Sequence, residues 1–123
     1  MALVIPDIAT KVSLVRFEHV PARREDLDQL VRWQVKKSTP FPVADACLTY
    51  TPGLRGPGAS EFVVALSRRE VISEYEGVCA QLGAHAGLVD LATFGVVNLC
   101  LAAGGVPAGD WLLVHMRPEY TSL

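Results

Sequence analysis

Leu27-Asp28-Gln29-Leu30-Val31-Arg32-Trp33-Gln34-Val35-Lys36-Lys37-Ser38-Thr39-Pro40-Phe41-Pro42 is the stretch around which this chain is organised. Leu27, Leu30, Val31 and Val35 recur at three- and four-residue spacing, which puts them on one face of a helix. Trp33 lies off that stripe, and Arg32, Lys36 and Lys37 keep the other side polar. Pro40 has no N–H and disfavours helical geometry in the residue before it, so the helix stops near Thr39. Phe41 then stands between two prolines as an apolar knob on a stiff turn. An off-face Trp followed at once by Pro-Phe-Pro builds one wall of a groove, and this groove is the expected functional surface.

Upstream, residues 11–20 read as a strand. Val12 and Leu14 alternate before the phase slips to Val15 and Phe17, which predicts a bulge near Val15. Glu25, Asp26 and Asp28 place negative charge in the first turns of the helix. Downstream, residues 46–51 form a short strand with Cys47, Thr49 and Thr51 on one side and Leu48 and Tyr50 on the other. Residues 52–58 are rich in Pro and Gly and read as a mobile connection. Residues 61–67 follow as a central strand with a continuous apolar run.

Ser67-Arg68-Arg69-Glu70 has the capping-box pattern. The helix behind it carries Val71, Ile72, Tyr75, Val78, Cys79 and Leu82 on one stripe, with Gly83 as its C-terminal cap. Residues 87–91 read as a fourth strand. Residues 94–103 are apolar nearly all round, which predicts a helix sandwiched between layers and ended by Gly104-Gly105, and residues 111–116 read as a last strand. The order predicts an α+β fold of the split β-α-β (ferredoxin-like) type, an antiparallel sheet with two helices on one face. This domain covers residues 1–92, and the helix and strand of 93–123 lead into an adjoining lobe.

With 123 residues and half of them hydrophobic, the chain is long enough for one real core. Its net charge of −2 argues against a dedicated nucleic-acid binder. Cys47, Cys79 and Cys100, odd in number and without CxxC spacing, read as buried reduced thiols. No run reaches membrane-spanning length and no basic leader opens the chain, which suggests the cytoplasm. The chain starts inside one apolar run and ends just after another, as a piece of a longer protein would.

Few residues carry a chemical signature. His19, His85 and His115 have no metal-like spacing to the cysteines, so structural or surface roles are expected. Asp90 at a strand end is read as the cap of the next helix in preference to a catalytic carboxylate. No nucleophile elbow, GxGxxG or GxxxxGK is present. Arg23-Arg24 and Lys36-Lys37 read as a solvated face, since the third strand lacks the surface aromatics that stack RNA bases. Trp33 and Phe41 suit a peptide-binding wall and a core edge equally.

At these residues the sequence resembles a family. Residues 32–42, Arg-Trp-Gln-Val-Lys-Lys-Ser-Thr-Pro-Phe-Pro, resemble the E-A-x-x-x-I-P-F signature of PilM, the actin-like cytoplasmic protein of type IV pilus assembly. That signature opens the small subdomain inserted in PilM's first lobe. Leu3-Val4-Ile5-Pro6-Asp7 resembles the strand entering it, residues 65–72 the start of its second helix, and Gly87-Leu88-Val89-Asp90 the return strand. FtsA and the cytoplasmic part of the type II secretion protein GspL share the plan. Gln34 stands where PilM usually has Glu. Residues 114–122 align with the second phosphate loop, usually D-I-G-x-x-x-T, with His115 for the Asp, Arg117 for the Gly, and Thr121 retained.

The resemblance implies a non-catalytic scaffold without a cofactor, peripheral to the inner membrane. Its partner would be the N-terminal cytoplasmic peptide of a PilN-like inner-membrane protein. The binding residues carried over are Leu30, Trp33, Gln34, Lys37, Pro40 and Phe41, rimmed by Arg32 and Lys36. The alternatives are an actin-like ATPase fragment, which should keep the Asp and Gly of the phosphate loop, and an RNA-binding split β-α-β module. Exposed apolar patches on the excised piece would favour self-association.

Overall fold

The structure, a computed structural model, describes residues 1–56 and 58–123, with the backbone alone for 54–56. In chain order its elements are β1 (Ala2–Ile5), β2 (Lys11–Phe17), α1 (Arg24–Lys36), β3 (Ala46–Gly56), β4 (Ala59–Arg68), α2 (Arg69–Gln81), β5 (Leu88–Leu91), α3 (Ala92–Ala102), β6 (His115–Met116) and β7 (Thr121–Ser122). The fold is α+β, and its order is compatible with a split β-α-β domain. The chain forms two compact units, Lys11–Ile72 and Met1–Thr10 with Ser73–Leu123. The first is continuous and interrupts the second in sequence.

Unit Lys11–Ile72 holds an antiparallel sheet in the order β2-β4-β3. The expected central strand is central, and its alternate residues Phe62, Val64 and Leu66 are buried. They meet Val15 and Phe17 from β2, Val31 and Val35 from α1, and Ala46 at the start of β3. The α1 stripe therefore does what its spacing requires, with Val31 fully buried and Leu27 and Leu30 flanking it. Phe62 packs against Phe17 and Tyr50, ring centroids 6.0 and 5.8 Å away.

The bulge expected near Val15 is absent. β2 pairs with β4 in unbroken register from Lys11↔Leu66 to Phe17↔Ser60, and it ends at Phe17 rather than at residue 20. What looked like a slip is a strand with apolar residues on both faces. Ser13, Val15 and Phe17 turn inward, while Val12 and Leu14 stay 44% and 64% exposed. The irregularity lies instead in β3, between Pro52 and Arg55, where a proline has no N–H for the ladder. The Pro/Gly-rich connection is thus mostly strand through Gly56; Pro57 of that stretch lies outside the described residues.

In the other unit β5 lies parallel to β1, from Ala2↔Leu88 to Ile5↔Leu91, so the fourth strand does not join the antiparallel sheet. Parallel neighbours need a long crossover, and all of residues 6–87 supply it. α2 begins directly after β4, whose Ser67 lies in register with Cys47 of β3. The Glu70 carboxylate meets Arg68 at 2.6 Å. Gly83 does end α2. With φ +70 it lets its own N–H reach Ala80 O and that of Ala84 reach Cys79 O. The α2 stripe is buried only at Cys79; Val78 falls on its flank, and Leu82 lies past the last helical residue.

α3 is not sandwiched. Leu99 is 68% exposed, and the layer expected from residues 111–116 shrinks to His115–Met116, the only part of it that finds a ladder partner, in β7. Of the thiols Cys79 is buried, while Cys47 and Cys100 are half-buried; all are free. No helix among the described residues is long and apolar enough to cross a membrane.

Candidate functional site

The residues carried over from the resemblance sit on α1 and the turn after it, and they face two ways. Leu30 and Phe41 pack against the apolar cluster. Arg68 stacks its guanidinium 5.8 Å from the Phe41 ring centre, a further tie to the fold. Trp33 points out, 56% exposed, with Lys37 Nζ 4.1 Å above its ring one turn further on. Gln34, Pro40 and the rim residue Lys36 are exposed beside it. Ser38 N–H and both the Ser38 and Thr39 hydroxyls converge on Val35 O, closing the helix before Pro40. Arg32 turns to a different place, a pocket of about 130 Å³ that it lines with Arg24, Asp28, Leu48, Thr49 and Tyr50. There Tyr50 Oη donates to Asp28 Oδ1, and this bond, with burial and the Asp28 charge, raises the phenol above its ordinary value against an opposing effect of Arg24.

The densest polar cluster lies elsewhere and centres on Asp7, in the 3-10 turn after β1. Asp7 Oδ1 accepts the Thr93 N–H at 3.0 Å, and Oδ2 accepts the hydroxyls of Thr93 at 2.6 Å and Ser122 at 2.8 Å. His115 Nδ1 lies 2.9 Å from Thr93 Oγ1 and 3.8 Å from Asp7 Oδ2. Burial works to raise the Asp7 pKa, but the bonds from Thr93 and Ser122, with the His115 charge, outweigh it and hold the carboxyl below its ordinary value. The Thr93 hydroxyl has one proton, which goes to Asp7, so His115 Nδ1 is the donor to Thr93 Oγ1.

This set contains Ser, His and Asp yet lacks the order of a hydrolytic relay. Ser122 gives its proton to Asp7 rather than to the imidazole. What the cluster does is cap a helix. The N-cap of α3 is Leu91, which offers no side-chain acceptor, and Asp7 takes the second helical N–H in its place. Asp90, expected in that role, spends its carboxylate on the N–H of Leu91 instead.

Of the degenerate phosphate loop, His115 and Thr121 lie on the paired strands β6 and β7 and Arg117 in the turn between, its N–H on Tyr120 O. Asp7, Thr93 and Ser122 escaped sequence reading. The signal was slight: an Asp just after a strand, and a helix whose own N-cap position holds a leucine. No group of three metal-ligating side chains converges among the described residues. No family model matches this sequence, and a search of curated proteins finds no match.

Proposed function

We propose that this chain belongs to a PilM-type cytoplasmic scaffold, peripheral to the inner membrane, which docks the N-terminal peptide of a PilN-like membrane protein beside α1. The observation that carries the reading is the nested organisation. Lys11–Ile72 forms a compact unit interrupting a second one, as an inserted subdomain would, and the flanking strands β1 and β5 pair with each other. β1 and β5 correspond to the entering and return strands of the resemblance. Trp33 is the anchor for the peptide, with Gln34 and Lys37 as its polar neighbours, and Phe41 supports the wall from beneath.

The test measures binding of a labelled PilN-type cytoplasmic peptide and thermal stability side by side. Trp33→Ala should weaken binding by about 2 kcal/mol, roughly thirtyfold, and leave the melting temperature close to wild type. Phe41→Ala should lower the melting temperature first, because Phe41 packs on the core. Unchanged peptide affinity in Trp33→Ala would remove α1 from the account. The same reading is non-catalytic: His115 and Arg117 replace the acid and glycine that a phosphate loop needs. Calorimetry with Mg-ATP should register no tight binding, and tight binding would favour the ATPase alternative.

A further inference from the structure

The sheet β2-β4-β3 has two edges, and they differ. The β3 edge is interrupted by Pro52 and the register shift that follows it, both of which discourage a further strand. The β2 edge has no such interruption. Its seven residues run in unbroken register with β4, without proline, glycine or bulge. Edge strands are commonly guarded by charged side chains, but the two on β2 are engaged within their own unit. Lys11 Nζ donates to Ser38 O at 2.6 Å, and Arg16 Nε pairs with Glu61 Oε2 at 2.8 Å. Between them stand the exposed Val12 and Leu14.

We propose that β2 pairs antiparallel with β2 of a second copy of this chain, joining two three-stranded sheets into one across a two-fold axis. A second copy suits this edge better than a flexible peptide does. Its β2 is already extended and held by β4, so neither side loses the entropy of ordering a strand. Antiparallel pairing about Leu14 sets Lys11 opposite Phe17 and Arg16 opposite Val12 of the other copy, whereas parallel in-register pairing sets each cation beside its own counterpart. An axis through Leu14 places each Leu14 opposite its own copy, on the face where both are exposed.

Sedimentation velocity of the full chain across micromolar concentrations tests this, with Leu14→Lys and, on the exposed side of α3, Leu101→Lys. Wild type and Leu101→Lys should dimerise. Leu14→Lys should weaken the dimer about tenfold or more, because it adds a guarding charge and sets two like charges face to face. A monomeric wild type would overturn the proposal, and so would a dimer that Leu14→Lys leaves intact or that Leu101→Lys alone dissolves. If circular dichroism shows that Leu14→Lys does not fold, hydrogen exchange of wild type decides instead. The β2 amides should gain protection as concentration rises, and self-association without that gain would overturn the inference.

Discussion

Asp7 shows what a single side chain does here. It lies 86 residues from Thr93 and 115 from Ser122, so no local pattern announces that it closes the start of α3. Because its folded pKa lies below the unfolded value near 3.8, its contribution is present above that value and is lost as pH falls through the folded one. Wild type should therefore lose melting temperature on acidification below about pH 4, partly through this group. Asp7→Asn keeps the shape but turns an amide N–H₂ or a weaker acceptor towards the Thr93 and Ser122 hydroxyls. It should cost about 1–3 kcal/mol at neutral pH and flatten the acid limb. Identical acid limbs in the two proteins would show that the cluster is not the sensor.

At the scale of elements, legibility followed the range of the interaction. Helical periodicity depends on neighbours three and four residues away, and α1, α2 and the glycine that ends α2 were readable for that reason. Strand pairing depends on chain far away, so the partner of β5 was not, nor was the straightness of β2, whose outer face is apolar as well. The candidate wall divided along the same line: its helix was legible, but whether each aromatic pointed in or out was not. The two faces of α1 make this testable. Val31→Ala should cost about 2 kcal/mol, since it empties a fully buried position. Trp33→Ala should cost less than about 0.5 kcal/mol, as surface changes do. Equal losses in denaturant titrations would mean that Trp33 belongs to the core.

Over the whole molecule the two compact units are not held by equal means. Lys11–Ile72 has a three-stranded sheet closed by a cluster of buried Val, Phe, Leu and Ala side chains. In the other unit, the described buried apolar residues are Ile5, Cys79, Leu91 and Ala92, its longest ladder is a two-stranded parallel pair, and Leu99, Leu101 and Leu112 are exposed. A two-stranded sheet is marginal by itself, so this unit leans on polar ties, with the Asp7 cluster joining the turn after β1, the start of α3, β6 and β7. Native-state hydrogen exchange should then report two blocks. The amides of Phe62, Val64 and Leu66 should exchange most slowly, through unfolding of their own unit, and those of β1, β5 and α3 faster, through opening of the other. Asp7→Asn should speed exchange in that second block by about tenfold, the equivalent of 1.4 kcal/mol, while the β4 amides change little. On the proposed function, the surface of α1 that carries Trp33 would stay formed while the other unit opens, as preorganised binding requires. Uniform protection across β1, β4 and β5, with Asp7→Asn lowering all of them together, would instead establish one cooperative block.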